Sequence, residues 1–253
     1  MTLYRHVRGV GRPLVALHGW GMNSAVWEPL LAGLAEHFQV TVIELPGHGG
    51  SPPAVTADLG LWAQMCLDAA PPQAHWIGWS LGGQVAMQAA LAAPARFTGL
   101  SLLASTPSFV QRPDWPDAMA ARVFDQFAGA LAADPATTLM RFLGLQVKGA
   151  EHARETLRLL REEIGLRPPA TLDGLTQGLE LLAATDLCDR LGDIDCPTHW
   201  LFGSRDTLVP VGVSERIRSI LAGASIDIID GAGHAPFLSH PYECLERLLD
   251  VAV

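Results

Sequence analysis

The chain has 253 residues, of which 49% are hydrophobic and 17% charged, so it can form one large domain with a buried core. Its formal net charge of −9 argues against a nucleic-acid-binding protein, because such proteins present a broad basic face. No stretch approaches the roughly 18 consecutive apolar residues that cross a bilayer, and the first residues lack the apolar core of a signal peptide. We expect a cytoplasmic, monomeric protein that does not enter a membrane.

The cysteines and histidines of the chain do not form a metal-binding pattern. The four cysteines are scattered and include no Cys-x-x-Cys pair, which is typical of unpaired thiols in a reducing compartment. No cluster of histidine, cysteine and acidic residues has the spacing of metal ligands. We expect neither a metal nor an organic cofactor.

Short apolar runs rich in Val, Ile, Leu and Trp predict buried parallel strands, since they lack the alternation of a half-exposed strand. The predicted strands are residues 14–18, 40–45, 75–79, 99–105, 198–203 and 225–230. Helical patterns separate most of them, at residues 24–36, 81–93, 211–221 and 241–252. This alternation predicts an α/β fold with a mainly parallel sheet.

One region interrupts the alternation. Residues 107–191 contain only helical periods, at 117–132, 136–148, 151–165 and 172–184. A helical insertion between two strands is expected to cover the carboxyl edge of the sheet, where open α/β sheets bind their ligands. We therefore expect residues 1–106 and 192–253 to form the core, and residues 107–191 to form a helical cap, called the cap segment below.

Residues 78–82, Gly-Trp-Ser-Leu-Gly, place a serine between two glycines where a predicted strand meets a predicted helix. In this context G-x-S-x-G is typical of a nucleophile elbow, whose strained backbone exposes the serine hydroxyl while small flanking residues avoid collisions. The helix N-terminus that follows favours negative charge developing beside the serine. The alternative is that Ser80 only caps that helix.

A serine hydroxyl is a poor nucleophile at neutral pH and needs a general base. His234 follows the last predicted strand, in a loop that can place an imidazole over the sheet edge. Asp206 follows the preceding predicted strand, where its carboxylate can orient that imidazole. His240 is expected to belong to the start of the final helix. The sequence therefore predicts a catalytic triad of Ser80, Asp206 and His234.

A tetrahedral oxyanion needs two preorganised hydrogen-bond donors. The backbone N–H of Leu81, directly after the serine, is the first candidate. The backbone N–H of Trp20, in the loop after predicted strand 14–18, is the second. We expect the Trp20 side chain to contact the substrate as well, although ordinary core packing is the alternative for this residue.

The segments HGWGMN, ELPGHGGS, GWSLGG, FGSRDTLVP and AGHAPFLSHP occur in the order and spacing of the α/β-hydrolase superfamily, and they run from the first strand to the last helix. More narrowly, the chain resembles the pimeloyl-[acyl-carrier protein] methyl ester carboxylesterases of biotin synthesis. The tryptophan after His-Gly, the Gly-Trp-Ser-Leu-Gly-Gly elbow and the run Arg-Phe-Leu-Gly-Leu-Gln at 141–146 carry this resemblance.

The resemblance implies hydrolysis of a methyl ester on a pimeloyl chain that an acyl carrier protein bears. It also implies a substrate-binding set of Trp20, Ser80, Leu81, Phe142, Leu143, Gly144, Leu145, Gln146 and His234. In this family, cap arginines dock the acidic carrier protein, which implies that role for Arg141, Arg154, Arg158 and Arg161. Thr137 departs from the family pattern, which has another arginine there, so docking is expected to be weaker or shared with Arg161.

The basic stripe of the cap segment has another interpretation. Arg154, Arg158 and Arg161 recur at helical spacing beside several glutamates, which is equally typical of a solvated face with short-range ion pairs. Two other functions also stay open. One is a general short-chain carboxylesterase, lactonase or perhydrolase with the same triad, since a fold and a triad do not define a substrate. The other is a hydrolase-like binding protein that scarcely turns over.

Overall fold

The computed structural model describes residues 2–252, whose strands form one sheet in the order β1-β3-β2-β4-β5-β6-β7. Every neighbouring pair is parallel except β1 with β3, which is antiparallel. The strands are β1 (Arg5–Arg8), β2 (Arg12–Leu17), β3 (Phe38–Ile43), β4 (Ala74–Trp79), β5 (Phe97–Leu103), β6 (Thr198–Gly203) and β7 (Ser225–Ile229). The predicted α/β fold with a mainly parallel sheet is confirmed.

The helices lie between these strands and after the last one. They are α1 (Glu28–Ala35), α2 (Leu59–Ala69), α3 (Leu81–Ala92), α4 (Ala121–Ala133), α5 (Pro135–Gln146), α6 (Ala153–Gly165), α7 (Leu172–Ala184), α8 (Val213–Ile220), α9 (Pro236–Ser239) and α10 (Pro241–Ala252). Among the residues described, no helix is long and apolar enough to cross a membrane.

Strand β1, helix α2 and the short helix α9 were not predicted from the sequence. Strand β1 has mostly exposed residues and two arginines, so it lacks the apolar signal of a buried strand. This is the usual character of an edge strand, where charge discourages pairing with other chains. Helix α2 does carry a signal, because the Asp58 carboxylate caps it at Leu61 N over 2.7 Å and its apolar residues recur at helical spacing.

The helix limits in the cap segment shift by a few residues from the predicted ones. Helix α4 begins at Ala121 rather than at 117, because Met119 instead exchanges backbone hydrogen bonds with Phe109 and Gln111. Helix α5 ends at Gln146 and helix α6 begins at Ala153, so the connection between the two helices is longer than predicted. Helix α7 has the predicted limits.

The centre of the sheet is the hydrophobic core. All six residues of β4 are buried, and so are the last four of β2, because helices cover both faces of the sheet. Aromatic rings fill the space between layers, as where Trp27 stacks on Phe237 with ring centroids 4.8 Å apart. The packed sheet gives the loops at its carboxyl edge a rigid base.

A buried ion pair joins the cap segment to the core. The Glu44 side chain, 0% exposed, accepts hydrogen bonds from Arg167 Nε (3.0 Å), Ser24 Oγ (2.7 Å) and Gly50 N (2.5 Å). Burial raises the pKa of Glu44, but these hydrogen bonds outweigh burial and hold the pKa below its usual value. The Arg167 guanidinium also lies 3.9 Å above the centre of the Tyr4 ring.

Further polar contacts attach the same side of the cap segment. The hydroxyl and the backbone N–H of Thr171 both donate to Gly47 O, at 3.1 and 2.8 Å. Asn23 Nδ2 donates to Ile164 O over 3.0 Å. Because these contacts and the Arg167 pair lie between residues 164 and 171, the chain from the end of α6 to the start of α7 is firmly held on the core.

Replacing Arg167 by methionine should lower the free energy of unfolding by about 2–3 kcal/mol, because it leaves a buried carboxylate without its cation. Urea denaturation of the variant and the wild type measures the difference. Arg8→Met is the matched control, since it breaks the exposed pair with Glu28 (2.8 Å) and should cost less than about 1 kcal/mol. Equal losses in the two variants would contradict a special role for the buried pair.

Candidate active site

The turn at Ser80 has strained backbone angles. Ser80 has φ 54° and ψ −119°, outside the conformations that most side chains adopt. A Cβ atom at Gly78 would lie 2.6 Å from Gly83 Cα, and one at Gly82 would lie 2.5 Å from His18 O. The glycines therefore let α3 press against the sheet directly after β4. Ser80 makes no side-chain capping bond, so the helix-cap interpretation of this serine is not supported.

The three residues predicted as a triad lie together at the carboxyl edge of the sheet. His234 Nε2 is 2.9 Å from Ser80 Oγ, and His234 Nδ1 is 2.8 Å from Asp206 Oδ2. The other carboxylate oxygen, Oδ1, accepts from Leu208 N and Val209 N at 2.8 and 3.0 Å. Asp206 thus has a fixed orientation, and His234 Nδ1–H can donate to it while Nε2 accepts from the serine.

Backbone contacts hold His234 on both sides. Its N–H donates to Gln146 O over 2.9 Å, and its carbonyl accepts from Trp79 Nε1 over 2.7 Å. Trp79 also packs edge-on against Phe237 at 5.0 Å, which keeps the indole in place. No local pattern predicts this support, because Trp79 precedes the serine and its partner lies 155 residues away. His240 lies between α9 and α10 and bonds Ser239, as its predicted place near the final helix implies.

The residues predicted as oxyanion donors lie near Ser80, since Leu81 follows it directly and a Cβ atom at Gly19, next to Trp20, would lie 3.3 Å from Ser80 Cβ. Leu81 is the first residue of α3, and the first N–H groups of a helix have no acceptor within it. Trp20 lies in the loop after β2, 1% exposed. Its indole Nε1 donates to Leu175 O of α7 over 2.8 Å, and its ring meets those of Phe142 and Phe127 at 4.8 and 5.5 Å.

Two buried histidines hold the loop that carries Trp20, and sequence reasoning did not identify them. His18 Nδ1 donates to Gly19 O (2.8 Å), and its Nε2 accepts from Leu45 N (3.0 Å). His48 Nδ1 donates to Pro46 O (2.9 Å), and its Nε2 accepts from Gly21 N (3.1 Å). Each ring thus needs one protonated and one unprotonated nitrogen, which is the neutral form.

Burial agrees with this assignment. It lowers the pKa of His18 to about 4 and the pKa of His48 to about 3, the latter also because His18 lies close by. Both rings are therefore neutral near pH 7. Their histidine-glycine surroundings in HGWGMN and PGHGG were visible in the sequence, but which backbone groups they bond depends on the fold.

The run 142–146 of α5 contacts the candidate site, since Gln146 O accepts from His234 N and the Phe142 ring packs on Trp20. Phe142, Leu143 and Gln146 are buried, whereas Gly144 and Leu145 are partly exposed. Neither amide atom of Gln146 has a hydrogen-bond partner among the described residues, although the side chain is only 1% exposed. A buried amide without partners is costly, so this group is available to a ligand that enters the site.

The four arginines predicted to dock a carrier protein face solvent. Arg141, Arg154, Arg158 and Arg161 are all exposed. Arg158 forms an ion pair with Glu162 at 2.8 Å, four residues along α6, which matches the solvated-face interpretation for this one side chain. Thr137 donates its backbone N–H to the capping carboxylate of Asp134. None of these arginines touches the triad, so any role they have is at the surface.

The site is enclosed. Ser80 is 4% exposed and His234 1%, so the cap segment and the sheet edge together separate the triad from bulk water. Within residues 2–252, no group of three or more His, Cys, Asp or Glu side chains could hold a metal ion. This arrangement supports nucleophilic attack by Ser80, with His234 as an oriented general base.

A family model described as alpha/beta hydrolase fold matches residues 12–241. The chain belongs to the α/β-hydrolase family. It is 41% identical over 242 residues to a protein of Photobacterium profundum, covering 96% of this chain and 95% of the relative. It is 42% identical over 242 residues to a protein of Xanthomonas campestris pv. campestris, with the same coverage. Both are named pimeloyl-[acyl-carrier protein] methyl ester esterase, which confirms the resemblance inferred from the motifs.

A solved structure agrees with the fold. An esterase from Exiguobacterium antarcticum superposes with a TM-score of 0.88 at 24% sequence identity, and the match covers 99% of this chain and 95% of the esterase. At this identity the similarity shows the shared α/β-hydrolase fold.

The neutral histidines predict loss of stability in acid. An unfolded chain protonates His18 and His48 near pH 6.5, whereas the folded pKa values are about 4 and about 3, so the unfolded state binds more protons below pH 6.5. The free energy of unfolding should therefore fall as the pH drops from 6.5 to 5, by up to about 1.4 kcal/mol per pH unit for each histidine. Urea denaturation at several pH values measures this slope.

The variant His48→Gln tests the assignment. Glutamine can accept the bond from Gly21 N but does not titrate. Between pH 6.5 and 5 the free energy of unfolding of this variant should therefore fall less steeply with pH than that of the wild type, by the contribution of one histidine. An unchanged slope in this variant would mean that His48 is not held neutral in the folded protein.

Proposed function

We propose that this protein is a carboxylesterase that hydrolyses the methyl ester of a pimeloyl chain borne on an acyl carrier protein, in biotin synthesis. The hydrogen-bonded chain Ser80–His234–Asp206 at a strained elbow is the observation that carries the chemistry. The names of relatives that are 41% and 42% identical along nearly the whole chain support the substrate. Cytoplasmic location and a monomeric state are part of the same proposal.

The reaction follows from the geometry. His234 Nε2 accepts the proton of Ser80 as Oγ attacks the ester carbonyl, and Asp206 stabilises the imidazolium that forms. The backbone N–H groups of Trp20 and Leu81 stabilise the oxyanion of the tetrahedral intermediate. The imidazolium then protonates the departing methoxide, which leaves as methanol. A water molecule, deprotonated by His234, attacks the acyl-enzyme, the imidazolium returns that proton to Ser80 Oγ as the free acid leaves, and the cycle needs no cofactor.

The cap segment supplies contacts for the acyl chain and its linker. Phe142 packs on Trp20, and Leu143 and Leu145 on the same helix add apolar surface, which suits a methylene chain. The backbone carbonyl of Gln146 bonds His234 N, and its buried, unpartnered side-chain amide offers a donor and an acceptor that suit an ester or amide group of the substrate. Gly144 lies between these residues on α5 and leaves the helix surface open, since a Cβ atom there would have no atom within 4 Å.

The exposed arginines of the cap segment suit an acidic partner. Arg141, Arg154, Arg158 and Arg161 lie in the stretch 141–167, where six cationic side chains outnumber four anionic ones in a protein whose formal net charge is −9. We propose that they dock the carrier protein, with Arg161 contributing where Thr137 offers no charge. Such charges act mainly on encounter and orientation, and salt screens them.

Ser80→Ala and His234→Ala should each abolish esterase activity, with a loss on the order of a million-fold for the serine variant, because the triad acts as a unit. His240→Ala is the control and should keep most activity, since the His240 side chain hydrogen-bonds its neighbour Ser239 and not a residue of the triad. A fluorophosphonate probe followed by mass spectrometry should modify Ser80. Modification at another serine, or an active Ser80→Ala variant, would refute the proposed nucleophile.

Substitution of Arg141, Arg154 and Arg158 by alanine should lower kcat/KM for the carrier-linked pimeloyl methyl ester by about two orders of magnitude, if losses of roughly 1 kcal/mol each add. Turnover of p-nitrophenyl acetate should change less than about threefold, because the triad lies beneath the cap segment. Raising the salt concentration should weaken the wild type on the carrier substrate and hardly affect the variant.

Replacement of Arg218 and Arg247, which lie outside the cap segment, is the matched control and should affect neither substrate. Equal losses on both substrates in the cap variant would show that the arginines only stabilise a solvated helix. A wild type that prefers p-nitrophenyl esters would favour a general short-chain esterase. A single stoichiometric burst without turnover would favour a hydrolase-like binding protein.

A further inference from the structure

Helix α7 of the cap segment lies directly against the residues proposed as oxyanion donors. A Cβ atom built at Gly178 would lie 2.6 Å from Trp20 Cδ1 and 3.1 Å from Trp20 Nε1. The same atom would lie 3.3 Å from Leu81 Cδ2. One backbone position of the cap segment thus touches the side chains of both residues.

A second contact fixes the direction in which the indole points. Trp20 Nε1 donates to Leu175 O over 2.8 Å, one helical turn before Gly178. The hydrogen bond from Nε1 and the close approach of Gly178 both involve the nitrogen-containing edge of the Trp20 ring. Because Gly21, the next residue, is held by His48 at 3.1 Å, the loop is anchored by the core after Trp20 and by α7 at its side chain.

The indole has no free space into which it could retreat. Trp20 is 1% exposed, and the rings of Phe142 and Phe127 pack edge-on against it at 4.8 and 5.5 Å. Interiors packed in this way respond to an added methyl group by shifting side chains and backbone. A side chain at Gly178 would therefore move Trp20.

Helix α7 cannot easily move away either. A Cβ atom at Gly174 would lie 2.5 Å from Gly47 O, so the first turns of α7 are already in close contact with the core backbone. Two hydrogen bonds from Thr171 to the same carbonyl hold the N-terminus of the helix. Because the helix is held in place, a larger residue at position 178 would displace the loop that carries Trp20.

We propose that α7 is a positioning element of the hydrolytic site, and that Gly178 is the residue that sets the separation between the Trp20 and Leu81 backbone N–H groups. This inference rests on the proposed function, since it takes these groups as the oxyanion donors. Gly178 touches no reacting atom, so it is a positioning residue. The position of the cap segment thereby affects the chemical step as well as substrate access.

The test is Gly178→Ala, assayed with p-nitrophenyl acetate. Displaced donors stabilise the transition state less, so kcat should fall about 10- to 100-fold, within the range for loss of one oxyanion donor, while KM changes less than about threefold. The inhibition constant of phenylboronic acid, which forms a tetrahedral adduct with a serine nucleophile, should rise by a similar factor. The added methyl group should destabilise the fold moderately by overpacking, and the higher helix propensity of alanine offsets part of this loss.

Gly129→Ala is the matched control, since it is another glycine-to-alanine change in a cap helix and its Cβ would have no atom within 4 Å. Its kcat should stay within about twofold of the wild type. A double-mutant cycle identifies the route of the effect. In a Trp20→Ala background the new methyl group has room, so adding Gly178→Ala should reduce kcat further by less than about threefold.

Each contrary result is distinct. An unchanged kcat in Gly178→Ala, or a loss of equal size in the Trp20→Ala background, would overturn the proposal. A raised KM with an unchanged kcat would mean that Gly178 only borders the substrate space, which also overturns it. If the wild type hydrolyses neither ester, the proposed function fails, and the boronate affinities of the wild type and Gly178→Ala still decide whether α7 positions the donors.

Discussion

The close approach of α3 to the sheet at Ser80 is the constraint on which the rest of the site depends. Gly78 leaves no Cβ between β4 and α3, and Gly82 leaves none between α3 and the end of β2. Ser80 can therefore take φ 54° at the edge of the sheet. Because the neighbouring strands are parallel, the loops that carry Asp206 and His234 reach the same edge. One tight turn therefore brings a hydroxyl, an imidazole and a helix N-terminus together.

The core and the cap segment both contribute contacts that hold the site in place. The core fixes the imidazole through Asp206 and Trp79, and it fixes the loop of Trp20 through His18 and His48. The cap segment adds Gln146 O at the His234 backbone and α7 at the Trp20 ring. Since the Glu44–Arg167 pair and the Thr171 bonds attach one side of this segment firmly, cap geometry and site geometry are coupled.

Burial gives the histidines of this edge different tasks. His18 and His48 hydrogen-bond backbone groups and stay neutral, so they hold the surrounding loops in place. His234 instead lies between a hydroxyl and a carboxylate, where a proton can be taken up and the resulting charge stabilised. The same side chain is structural or reactive according to its partners, which the linear sequence does not show.

The sequence by itself determined the parallel α/β order, the elbow and the order of serine, aspartate and histidine, because apolar runs and glycine spacings are local signals that a single chain displays. It did not reveal β1, whose charged residues carry no strand signal. It also did not reveal that Gly178 meets Trp20, since 158 positions separate two residues that only the docking of α7 brings together. Tertiary structure decided every such contact, because it depends on how elements pack and not on which elements form.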